Sequence, residues 1–160
     1  MTAPLPKEDV MSTHSHIPAT QRTDLAGVVA MIPGLLGFVP ESSVVLLFLD
    51  SSLVKLTMRV DLDEIHRPEL PATIQTAAHR AKADEVVVVG FVPRIGQNVA
   101  ETLRELAIRV ERDALAADRV LTVRSMAMVG STAWSEVPAW GVLPVERPVS
   151  EVEHHSALAE

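Results

Sequence analysis

The segment Val44-Val45-Leu46-Leu47-Phe48-Leu49 is apolar at every one of its six positions. A half-exposed strand alternates and a surface helix repeats every three to four residues, so an unbroken short run fits a strand covered on both faces inside a sheet. Val86 to Val89, led in by Asp84 and Glu85 and closed by Gly90, has the same character. Two buried strands of this kind call for helices packed on the sheet. The run is also far shorter than the roughly 20 residues that cross a bilayer as a helix, so the positive mean hydropathy is assigned to a buried sheet and no membrane partner is expected.

Around these runs the pattern alternates between strand and helix. Asp50-Ser51-Ser52 reads as a turn, after which Val54, Leu56, Met58, Val60 and Leu62 alternate with Lys55, Thr57, Arg59 and Asp61, the mark of a half-exposed hairpin partner. A cap at Thr23 or Asp24 precedes Leu25, Val28, Val29 and Ile32, and Pro33-Gly34 is expected to end that helix. Pro71 suits the first turn of a second helix, with Ile74, Ala77, Ala78 and Ala81 inward. Val99, Leu103, Leu106, Val110 and Ala114 recur at helical spacing on a third, with Glu105 and Arg109 as an exposed pair. The expected strands lie near 44–49, 53–61, 85–90 and 119–128, and the helices near 24–32, 71–82 and 97–117. Strand, helix, strand, helix, strand in succession implies a layered α/β fold with a mixed, mostly parallel sheet of about four to five strands. From Thr132 onward, prolines and two tryptophans suggest a short strand and an irregular wrap.

The chain has 160 residues, the size of one domain. Residues 1–20 carry prolines and hydroxyls without an apolar period and read as a flexible tail, leaving 21–160 as a single α/β domain. No cysteine is present, which excludes disulfides and thiolate chemistry and fits a reducing compartment, so a cytoplasmic location is expected. A formal charge of −7 and an aromatic share of 3% argue against nucleic acid, for want of both attraction to phosphate and stacking surfaces.

The segment Ile32-Pro33-Gly34-Leu35-Leu36-Gly37-Phe38-Val39-Pro40, followed by Glu41-Ser42-Ser43-Val44-Val45, resembles the signature of an actinobacterial family, domain of unknown function 4192. Arg59-Val60-Asp61, the Ala83 to Val89 strand and the Trp134 to Pro144 segment are similar to further parts of it. The resemblance covers about Leu25 to Leu143. It implies an intracellular actinobacterial setting and supplies no activity, cofactor or catalytic residue. Members of the family are longer at the C-terminus, so the chain resembles a short form without that helical extension.

Two sites suggest themselves. Gly90, Arg94, Gly96, Gln97 and Asn98 lie between an apolar strand and the long helix, where open α/β sheets bind ligands and helix amides attract anions. A small anion or nucleotide is the ligand expected there, although the order of a phosphate loop is absent. Leu36, Phe38, Trp134 and Trp140 are apolar residues in connectors, candidates for an interface with a protein partner or a second copy, or else for closure of the chain's own core. No metal or cofactor site is expected. His14 with His16, and His154-His155, lack a third ligand nearby, and Asp61, Asp63, Glu64 and His66 read as a solvated loop. Ser42 and Ser43 lack a nucleophile elbow and are assigned to turn bonding. With no acid, base and nucleophile set apparent, the leading expectation is a noncatalytic interaction or assembly protein.

Overall fold

The computed structural model describes residues 8–12, 25–139, 141 and 146–152. Its sheet has six strands of four residues or more and a seventh of two: β1 Glu8–Ser12, β2 Ser43–Asp50, β3 Leu53–Asp61, β4 Glu85–Phe91, β5 Thr122–Val129, β6 Ala133–Glu136 and β7 Arg147–Pro148. Three helices accompany it, α1 Leu25–Leu36, α2 Leu70–Ala81 and α3 Gln97–Ala116, with a short 3-10 turn at Leu62–Glu64. The order across the sheet is β1-β3-β2-β4-β5-β6-β7.

The layered α/β class is as expected, but the sheet is mostly antiparallel and larger than four to five strands. Only β4 and β5 run parallel; the other neighbours are antiparallel. The reason lies in where β2 sits. β3 and β4 run the same way and are joined through α2, as a crossover requires, yet β2 is inserted between them and opposes both. The tight β2–β3 hairpin makes this insertion local: Ser51 and Ser52 take positive φ of 51° and 70°, the geometry that matches the twist of a two-residue hairpin loop.

β2 is buried from Ser43 to Leu49 because it has a neighbour on each side and a helical layer on each face. Val44, Leu46 and Phe48 join a cluster with Ile74 of α2 and Leu103, Leu106 and Val110 of α3. Val45, Leu47 and Leu49 join a second cluster with Val28, Val29 and Ile32 of α1. A register shift between Phe48 and Leu49 exchanges the faces, so Val54 packs with α1 while Leu56, Met58 and Val60 pack with α2 and α3. β3 is not a half-exposed partner either: β1 pairs with its far side, Glu8 opposite Val60 through Ser12 opposite Leu56, and Thr57 is fully buried. Part of the expected flexible tail therefore forms a strand. The rest of that tail, with His14, His16 and the cap at Thr23 or Asp24, lies outside the described residues, as do Trp140 and His154-His155.

α1 continues a turn beyond the expected stop. Proline fixes a φ that a helix accepts and sacrifices one hydrogen bond, and burial of Ile32 and Leu36 holds the last turn in place. Gly37, not Gly34, ends it, with φ 85° and its N–H donating to the Pro33 carbonyl at 2.8 Å. α2 ends on Lys82 in the left-handed region, its N–H bonded back to Ala78 and His79.

Candidate functional site

At the C-terminal ends of the parallel pair, on the α1 side of the sheet, lies a cleft of about 620 Å³. Val29, Ala30 and Pro33 of α1 form one wall and Val39 to Ser42 another; Phe91 to Pro93 and Val129 to Ser131 make the floor, and Val149 and Val152 close the remaining side. Its size is that of a small-molecule or short-segment site.

The polypeptide builds this wall step by step. After Gly37 the chain leaves the helix with Phe38 and Val39 exposed, 44% and 69%. Arg59 on β3 reaches 6.0 Å from the Phe38 ring while donating to Ser43 Oγ at 2.7 Å and Asp61 Oδ1 at 2.8 Å. Ser43 Oγ in turn donates to the Glu41 carbonyl at 2.7 Å, and the Leu62 N–H donates to the Ser42 carbonyl at 2.9 Å. Ser42 is held at φ 45°. The turn is thus tied down from both ends.

Among the described residues Glu41 is the only ionisable one lining the cleft, and Ser42 and Ser131 supply hydroxyls. Among the described residues no histidine stands beside either serine in the lining, so the described lining pairs no nucleophile with a base. The span 26–156, which includes the turn and every residue of the lining, matches the family described as Domain of unknown function (DUF4192).

The chain belongs to the DUF4192 family. No curated protein matches it. The shared motif of this DUF4192 chain divides in two: Leu36 is 5% exposed and serves the core, whereas Val39 to Ser42 shape the cleft.

Most of the anion-site residues have local roles of their own. Gly90 is buried within β4, and a Cβ there would lie 3.3 Å from Leu103 Cδ1, so its role is close approach of α3 to the sheet. Gly96 precedes α3 in an extended conformation that any residue adopts. The Gln97 side-chain amide donates to Glu101 Oε1 at 2.8 Å, the Asn98 carbonyl accepts from the Thr102 hydroxyl, and Arg94 is exposed. The cleft shares the strand end with this loop but opens on the opposite face from α3.

Of the interface candidates, Trp134 is 1% exposed, its indole N–H donating to Glu151 Oε2 at 3.3 Å and its ring beneath Arg147 at 5.0 Å. It closes the chain's own core, as does Leu36, so neither offers contact surface; Phe38 does. Asp61, Asp63 and Glu64 bring carboxylate oxygens within 4.8 Å of one another, but Arg59 pairs with Asp61 and Arg67 with Glu64. The Arg67 guanidinium is held above its ordinary value by its hydrogen bond with Glu64, then by the charges of Glu64 and Glu69.

The roles of two arginines escaped the sequence reading. Arg104, 7% exposed, donates to the Pro138 carbonyl at 2.8 Å, the Gly141 carbonyl at 2.7 Å and Glu101 Oε1 at 3.0 Å. Arg109 donates to the carbonyls of Ile65 and Arg67 instead of pairing with Glu105. Both fasten loops to α3. Arg104 falls on the helix stripe of Ala100 and Ala107, and a charge on a buried stripe was the signal available.

Proposed function

We propose that this chain is a noncatalytic interaction protein of the cytoplasm, and that it docks a protein partner in the cleft with Phe38 and Val39 as the lip. The observation that carries this reading is an exposed apolar pair, held in place through Arg59, beside a cleft in which no catalytic groups are paired among the described residues. Apolar surface kept exposed by a dedicated set of bonds is costly unless a partner covers it. The absence of cysteine supports the reducing compartment. The alternative, a small anion or nucleotide on residues 90–98, has less behind it, since Gly90 packs against Leu103 and the Gln97 amide is bonded to Glu101.

Native mass spectrometry of gently purified protein tests the proposal. Wild-type chain is expected to carry a reproducible partner mass, either a second copy or another polypeptide, that Val39→Asp loses while keeping its fold. A bare monomer for both proteins would overturn it. A retained small-molecule mass lost in Arg94→Ala would favour the anion reading instead.

A further inference from the structure

The cleft is lined mostly by apolar residues, and the one ionisable residue in its described lining is an acid, a combination that suits an apolar occupant with a cationic group. Three of its lining residues, Pro33, Pro40 and Pro93, have no N–H to offer. Two floor amides are already used: the Val92 N–H donates to the Val129 carbonyl at 2.9 Å and the Gly130 N–H to the Ala133 carbonyl at 2.8 Å. These are the strand-end amides that would otherwise hold an anion. Pro33, lying inside α1, also leaves the carbonyl of Val29, a lining residue, without its ordinary helical donor. Beside it the Glu41 carboxylate is exposed and, among the described residues, has no ion-pair partner. The net charge of −7 adds attraction at long range.

We infer that the cleft receives an apolar partner segment bearing one lysine or arginine, whose cationic head lies at Glu41 and whose apolar side chains cover Val29, Phe91 and Val152. This rests on the interaction reading above and adds the chemistry of the partner to it.

The test is selection from a displayed library of random ten-residue peptides on the full chain, followed by amide chemical shifts of Val92, Gly130 and Val152. Apolar peptides enriched in lysine or arginine are expected to shift those amides. Glu41→Gln should weaken them about two- to fivefold, the range of a solvent-exposed ion pair, and Glu41→Lys should turn the preference to acidic peptides. Arg94→Ala should change neither. Cleft-bound peptides without basic enrichment, or a charge preference that follows Arg94 and not Glu41, would overturn the inference while leaving the interaction reading standing. If no peptide moves the cleft amides but phenethylammonium does, the occupant is a small organic cation, and the interaction reading falls with the inference. If neither moves them, both fall.

Discussion

The two faces of the sheet are covered unequally. One carries α2 and α3, with 12 and 20 residues, whose alanines and leucines lie close on Val44, Leu46, Val86 and Val88. Among the described residues the other carries α1, with 12 residues, and the short 149–152 segment. α1 covers the middle of the sheet but not the strand ends, and the family turn, the floor of β4 and β5, and the 149–152 segment surround what it leaves open. The closed face supplies stability. The incompletely covered face leaves a cleft, because a cleft needs walls that do not touch.

The largest effect should come from the closed face. Leu103→Ala removes a fully buried side chain against Gly90, and a loss of about 3–5 kcal/mol is expected by urea denaturation, since the surroundings cannot collapse onto the vacancy. Arg104→Ala should follow at about 2–4 kcal/mol, because two carbonyls lose a charged donor; protease cutting near Pro138 should rise with it. The sharpest comparison is one substitution made on both faces. Ala100→Leu, at a fully buried position on the inner face of α3, should cost about 1–3 kcal/mol through overpacking, whereas Ala30→Leu, also buried but lining the cleft, should cost less than about 1 kcal/mol because the added atoms can enter the cleft. Equal losses would mean that the cleft is not open in solution. The last change should be a gain. Thr57 Oγ1 is buried and, among the described residues, has no hydrogen-bond partner; it lies opposite Leu47 on the α1 face, and Thr57→Val should stabilise by about 1 kcal/mol.

How far these features were legible follows from how local their causes are. The Val44–Leu49 and Val86–Val89 runs announced buried strands, and the stripes of α2 and α3 announced their helices to within a residue at each end, because each pattern is carried by neighbours in sequence. The motif from Pro33 to Pro40 announced the family. The face of Val54 was not legible, since a shift of register between Phe48 and Leu49 reverses it without changing the alternation in the sequence. Nor was the cleft, whose lining joins Val29, Glu41, Phe91, Val129 and Val149 from five separate stretches of chain. The strand-end rule directed attention to the correct end of β4, but the rule is silent about which face of the sheet remains uncovered.

By itself the sequence determined the α/β class, the buried strands, the absence of thiol chemistry and an acidic surface, because composition and periodicity are properties of the chain before it folds. Tertiary structure alone decided that β2 separates β3 from β4, that Trp134 and Leu36 turn inward while Phe38 and Val39 stay out, and that Glu41 lines a largely apolar cleft. Those outcomes depend on which distant surfaces bury one another, and burial between distant segments leaves no period in the sequence to read.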